Sequence, residues 1–270
     1  MNLKFVFRGV LFAVPVALLA LMGGVVVLFW TGRLTPPLDP TPPPPTILSP
    51  PGEIPDGPIG LREWAQYLGE GYTAMSCGFL FRLADGTVIG ATVAHSHSIG
   101  DPAHPLERIA FSAPGEQQWI AEFDTLRGYP GYPRSGDDMR VDYILVQTDA
   151  RLDAAPVLSP DPRGAPQPGE RVALFSGLHG RSADGTWQRF NGTVQSVSEQ
   201  AIWVVMDDLF MPGNMSGSPF VSHHTGNVVG MLIAGAVRGN RLVLAAHPIG
   251  SLVSLAENAQ QFPKIRDFRR

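Results

Sequence analysis

The chain has a single cysteine, Cys77, in 270 residues, which excludes an intrachain disulfide framework. Its lysines are Lys4 and Lys264 alone, near the two ends. That argues against Ser-Lys hydrolysis and Schiff-base chemistry, which need a catalytic lysine inside a folded domain. An excess of basic charge is also missing: 20 Lys and Arg stand against 24 Asp and Glu, for a net charge of −4. Such a balance offers no phosphate-neutralising surface, and no nucleic-acid partner is expected. Charged residues make up only 16% and apolar ones 44%, enough to build a sizeable core, with part of the apolar count concentrated at one end.

From Gly9 to Gly32 there are 24 residues without a charge. As a helix, the stretch Gly9 to Trp30 would be about 33 Å long, sufficient to span a bilayer core. A cleaved signal peptide is the alternative, but its apolar region should be shorter and end in a small-x-small site, which Val25-Val26-Val27-Leu28-Phe29-Trp30 does not provide. Residues 1–33 are therefore expected to form a cytoplasmic tip and an uncleaved transmembrane anchor. Lys4 and Arg8 before the run, against Arg33 after it, place the N-terminus inside and the remainder outside, periplasmic or extracellular. Residues 34–58 read as a Pro-rich linker: Thr35–Pro58 holds 11 prolines in 24 residues, including Pro42-Pro43-Pro44-Pro45. Extended at about 3.1 Å per residue, it would act as a spacer of up to roughly 75 Å.

Residues 59–270 form the third unit. A short helix is expected over Leu61–Leu68, followed by β-rich runs between Gly, Pro and Asp turns. Cys77–Leu83 and Thr87–Val93 flank Asp85-Gly86, a hairpin signal. Further strands are expected at 108–112, 118–126, 141–148, 171–176, 192–197, 202–206, 227–236 and 241–246. Short strands without alternating helices indicate an all-β barrel or sandwich. Residues 251–261 carry apolar side chains at 252, 255, 256 and 259, the spacing of a closing helix.

Three segments could carry chemistry: Thr92-Val93-Ala94-His95-Ser96 at the end of a strand, Val141-Asp142-Tyr143-Ile144-Leu145 at the start of another, and Gly213-Asn214-Met215-Ser216-Gly217-Ser218-Pro219. In this order and context the sequence resembles the trypsin-like (chymotrypsin-fold) serine peptidases, in particular their disulfide-poor bacterial Htr-like branch, without an evident peptide-binding domain. The likeness spans roughly Ser76 to Leu255 and is strong only at those three segments. It implies two six-stranded antiparallel β-barrels with a C-terminal helix, and a catalytic triad of His95, Asp142 and Ser216. A serine hydroxyl needs an imidazole to take its proton and an acid to orient that imidazole. The amides of Asn214 and Ser216 would form the oxyanion hole. Phe210 would lie at the base of the primary pocket and Ile233, Ala234 and Gly235 along its wall, favouring small or medium apolar side chains, although Asp207 and Asp208 lie close by in sequence.

The chain departs from the family pattern at two positions. Asn214 stands where a glycine is usual, and Met215 where an Asp or Asn is common. Asn tolerates the left-handed conformation better than most residues, so the hole can survive. Asp137 and Asp138 compete with Asp142, but neither opens an apolar strand directly. No metal is expected, because His95-Ser96-His97 with Asp101 and His104 lacks the continuation of a His-x-His-x-Asp-His site, and His223-His224 would point to opposite faces of a strand. No cofactor is implied. His179 and His247 have no partner pattern, and Cys77 reads as a small buried residue. The α/β-hydrolase elbow is not matched at Ser216. Asn191 and Asn214 both fit the glycosylation pattern, and a glycan on Asn214 would block the hole, which favours a bacterial envelope. The expected function is a membrane-anchored serine endopeptidase acting on peptides or proteins through an acyl-enzyme. The alternatives are an inactive peptidase fold serving as a binding or scaffold module, and an esterase using the same triad.

Overall fold

Alternation with a period of two decides the first element. In Leu61–Tyr67 the side chains of Leu61, Glu63, Ala65 and Tyr67 are buried and those between them are half-buried, so the segment is strand β1 and not the expected helix. The alternation is masked in the sequence because one inward residue is Glu63. Its partners, Ser76 and His97, lie 13 and 34 residues away. The computed structural model describes residues 40–133, 139–150, 152, 154–178 and 188–269.

Strands β2 (Tyr72–Arg82), β3 (Val88–Thr92), β4 (Leu106–Ser112), β5 (Trp119–Phe123), β6 (Thr125–Leu126) and β7 (Ile144–Gln147) join β1 in the order β5-β4-β1-β2-β3-β7-β6. The two ends of this path are consecutive in the chain, separated by Asp124 alone. Taken as one bent strand, β5 and β6 return the sheet on itself as a nearly closed, six-stranded barrel. The short strand β8 (Val157–Leu158) adds to β2 in parallel. Its core holds Leu80, Ile109, Phe111, Phe123, Leu126, Ile144 and Val146. The hairpin between β2 and β3 is wider than a two-residue turn: the Leu83 amide donates to Thr87 O at 2.9 Å, with Gly86 at φ 89°.

The second barrel is closed. Strands β9 (Arg171–Phe175), β10 (Arg189–Val197), β11 (Ile202–Met206), β12 (Pro219–Ser222), β13 (Val228–Arg238) and β14 (Arg241–Pro248) run β10-β11-β14-β13-β12-β9, all antiparallel. Its core includes Val172, Leu174, Val204, Phe220, Leu232 and Leu244. Each such side chain, fully buried, stabilises the fold by roughly 1.5–3 kcal/mol. Helix α1 (Ile249–Glu257) follows, burying Ile249, Leu252 and Ala256. It starts before the expected 251 and ends before 261, and Leu255 of the expected apolar set is 37% exposed.

Residues 40–58 enter no helix or strand, as the proline content dictates, but they do not project from the domain. They run along the second barrel. The Gly52 amide donates to His224 O at 2.7 Å, and His224 Nε2 donates to Ser49 O at 2.7 Å. Among the described residues, no helix is long and apolar enough to cross a membrane. The run Gly9–Gly32, on which the anchor is expected, lies outside them, as do Asp137, Asp138 and His179.

Candidate active site

Register brings the first two candidate residues together. Strands β3 and β7 pair antiparallel with Thr92 opposite Ile144, so two residues further on Ala94 stands opposite Asp142. His95 follows in a short 3-10 turn, Ala94–Ser96. The Asp142 carboxylate is fully buried: Oδ1 accepts the amides of Ala94 at 2.8 Å and His95 at 3.0 Å, and Oδ2 lies 2.7 Å from His95 Nδ1. Facing an acceptor-only carboxylate, Nδ1 carries the hydrogen and leaves the Nε2 lone pair outward. The His95 side chain is 35% exposed, while that of Asp142 is fully buried. Asp142 lies two residues before β7 and not in its first position as expected.

The Ser216 loop belongs to the second barrel and leans on the first. Met215, standing where the resemblance places an Asp or Asn, is fully buried in the second core and anchors the loop there. Asn214 adopts φ 61°, the sole positive φ of a non-glycine residue among those described. Gly217, at φ 87°, presses so closely on Cys77 O and Thr92 Oγ1 that no Cβ fits. The Gly217 amide donates to Leu232 O at 2.7 Å, and Ser216 O accepts the Cys77 amide at 2.9 Å. Ser216 is thus held between β13 of its own barrel and the β2–β3 edge that leads to His95. Its hydroxyl, however, donates to Ile233 O at 3.4 Å, and no hydrogen bond joins it to His95 among the described residues. His95 and Asp142 are thus hydrogen-bonded, and Ser216 is not hydrogen-bonded to them among the described residues.

Amides in the loop divide into two sets. Those of Met215, Gly217 and Ser218 are paired with Pro212, Leu232 and Met215 carbonyls, while those of Asn214 and Ser216 have no acceptor among the described residues. Two donors spaced in this way can receive an oxyanion. Beneath the loop the thiol of Cys77, which is fully buried, donates to Asn214 O at 3.5 Å. Burial pushes that thiol up to about 11.

Phe210 is half-buried, with its ring stacked on Phe190 at 4.0 Å between centroids. Ile233, Ala234 and Gly235 lie on β13, and a Cβ placed on Gly235 would be 3.4 Å from Pro212 Cγ, so wall and loop adjoin. Asp207 is bound by Arg171 through both guanidinium nitrogens, and that ion pair holds its carboxyl below the usual range. The histidines near His95 go separate ways. His97 pairs with Glu63 at 2.8 Å, and His104 with Glu70 at 3.0 Å. Asp101 caps its own turn by accepting the Ala103 amide at 2.8 Å. Sequence reasoning missed Glu63, Thr92 and the seating role of Cys77, because each acts through contacts distant in the chain.

No family model matches the sequence, and no curated protein matches it. Solved structures do match. Kallikrein-related peptidase 10 is 17% identical, with a TM-score of 0.50 over 73% of this chain and 93% of its own. The thermostable serine protease AL20 from an extremophilic microorganism is 12% identical, with a TM-score of 0.50 over 76% of this chain and 98% of its own. A scabies mite inactivated protease paralogue is 17% identical, with a TM-score of 0.50 over 74% and 93%. These likenesses establish the two-barrel, trypsin-like serine protease fold.

Proposed function

We propose that the chain is a serine endopeptidase that cleaves peptide bonds through an acyl-enzyme at Ser216. The observation that carries this reading is the His95–Asp142 pair: a buried carboxylate, fixed by two amides, orients an imidazole that is itself partly exposed. In the reaction, His95 Nε2 takes the Ser216 proton as Oγ attacks the scissile carbonyl, and the Asn214 and Ser216 amides receive the oxyanion. His95 then returns the proton to the leaving amine, and water repeats the sequence to release the acid. The step requires the Ser216 hydroxyl to rotate from Ile233 O to His95. Catalytic hydrogen bonds commonly tighten only when substrate binds. The stacked Phe190 and Phe210 rings favour small or medium apolar side chains. We further propose that Gly9–Gly32 anchors the chain in the cytoplasmic membrane, with the barrels outside.

The test is labelling of the full chain with a fluorophosphonate probe, beside Ser216→Ala and His95→Ala. Labelling of the wild type that both variants lose is the expected result. A folded wild type that stays unlabelled would overturn the proposal in favour of the second reading, an inactive scaffold module. One observation favours that second reading: the Ser216 hydroxyl donates to Ile233 O and not to His95. Fluorogenic peptides test specificity, and faster cleavage after Arg than after Val, Ala or Leu would exclude the apolar preference.

A further inference from the structure

Outside the site lies a second set of a carboxylate, a serine and a histidine. Glu63, Ser76 and His97 are all buried, with exposures of 0%, 3% and 6%. The Ser76 hydroxyl donates to Glu63 Oε2, and His97 Nε2 lies 2.8 Å from Glu63 Oε1. This set is no second nucleophile site: Ser76 donates to the carboxylate instead of the imidazole, and solvent does not reach it. A carboxylate in a β-barrel wall is costly to desolvate and persists only when fully engaged. Its neighbours on the same face, Leu61, Ala65 and Tyr67, show that an apolar residue would suit the barrel equally well.

The connections of its two partners give Glu63 a role. On one side, the His97 amide closes the turn that carries His95 by donating to Ala94 O at 3.1 Å. His97 Nδ1 is buried without a partner among the described residues, and Glu63 is the one hydrogen-bond tether of the ring among them. On the other side, Ser76 adjoins Cys77, which touches the Ser216 loop twice: its amide donates to Ser216 O and its thiol to Asn214 O. Cys77 O in turn accepts the Thr92 hydroxyl at 2.9 Å, three residues before His95. We infer that Glu63 is a positioning residue for both halves of the site, fixing the His95 turn through His97 and the seat of the Ser216 loop through Ser76. The inference deepens the serine-peptidase reading and rests on it for its kinetic consequences.

The experiment uses the full chain with Glu63→Leu, Glu63→Gln and Ser76→Ala. Leucine fills the space but removes both hydrogen bonds. Glutamine keeps both, its carbonyl accepting from Ser76 and its amide donating to the other tautomer of His97. Misplacement of catalytic groups by about 1 Å costs on the order of 100-fold, so Glu63→Leu is expected to lower kcat by about 30–100-fold with KM little changed. Glu63→Gln should recover to within about threefold of wild type, and Ser76→Ala should fall between the two. The proton NMR signal of the His95–Asp142 hydrogen bond should shift or broaden in the leucine variant and persist in the glutamine variant. A folded Glu63→Leu protein with wild-type kcat and an unmoved signal would overturn the inference. If leucine prevents folding, Ser76→Ala decides: wild-type kcat and signal there overturn it equally. Should the wild type itself show no turnover, the serine-peptidase reading fails, while the NMR signal still decides the positioning role because it needs no substrate.

Discussion

The carbonyl oxygen of Glu53 occupies the place where a side chain on Gly226 would begin. Gly226 sits at φ 70° in the turn between β12 and β13, and Gly169, at φ 84°, is covered in the same way by the carbonyl of Pro43. Two side-chain-free turns on the second barrel thus seat two points of the Pro-rich segment, ten residues apart. Gly226→Ala combines an unfavourable backbone conformation with a clash, for a loss of about 2–3 kcal/mol. At about 2–4 °C per kcal/mol for a domain of this size, melting should fall by roughly 5–10 °C. Proteolysis within residues 41–58 should also quicken in the variant. Unchanged melting and protease resistance would show that the segment is not seated. A chain beginning at residue 59 should be less stable than one beginning at residue 40, because it loses these contacts.

In the proposed mechanism Asn214 supplies its amide from a backbone conformation that non-glycine residues enter at a cost of roughly 1–2 kcal/mol. Glycine there removes the strain and keeps the donor, so Asn214→Gly should label with a fluorophosphonate at least as fast as wild type. A β-branched residue is a genuine outlier at φ 61°. Asn214→Val should therefore slow labelling by about tenfold or more, each 1.4 kcal/mol being worth a factor of ten. Equal rates for the two variants would mean that this amide does not receive the oxyanion.

Much of this arrangement was legible because it is local. Apolar runs such as Ile202–Met206 and the turn residues between them set the strands, and the flanks of His95, Asp142 and Ser216 carried the resemblance that the fold comparisons match. What stayed hidden is long-range. Strand β1 read as a helix because an inward Glu63 breaks its pattern, and strand β12 (Pro219–Ser222) merged with the serine loop. The Pro-rich segment read as a spacer because its seats, Gly169 and Gly226, lie more than 100 residues further along the chain. The acceptor of the Ser216 hydroxyl, Ile233 O, lies on a strand 17 residues further along the chain, a contact about which composition and spacing carry no information.

Asp142→Asn should separate orientation from bulk structure. The asparagine carbonyl can still accept the Ala94 and His95 amides, but its NH2 group would face His95 Nδ1. That forces the hydrogen onto Nε2, where it blocks acceptance of the serine proton. A loss of about 10⁴ in kcat is expected at nearly unchanged melting temperature, the size found when this tautomer is reversed in a Ser-His-Asp triad. A loss below tenfold in a folded variant would remove Asp142 from the proposed mechanism.

Cys77 should be inert in the native protein. A thiolate is the reactive form, and burial holds this thiol at about 11. At pH 8 iodoacetamide should leave the folded chain unmodified and add one group per chain in urea. Rapid native-state alkylation would show that the Ser216 loop opens and exposes β2.

Acid should loosen the second barrel through Asp161. This carboxylate is 2% exposed and meets Arg163 at 2.8 and 2.7 Å and the Thr225 hydroxyl at 2.7 Å, while Glu170 holds the other side of the guanidinium. Burial alone would raise its pKa, but Arg163 and Thr225 outweigh it and hold the carboxyl below its ordinary value. A folded-state pKa depressed in this way stabilises the protein fully above the unfolded value, about 3.9, and the contribution is lost as pH falls through the folded one. Melting temperature should therefore be insensitive to this group from neutrality to about pH 5 and drop below about pH 4. Asp161→Asn should melt lower at pH 7, because Arg163 loses a buried partner, yet show a shallower decline below pH 4. Parallel curves for the two proteins would assign the acid sensitivity elsewhere. Because Thr225 adjoins Gly226, the same acid step should loosen the seat of Glu53, and proteolysis within residues 41–58 should rise over the same pH range in the wild type.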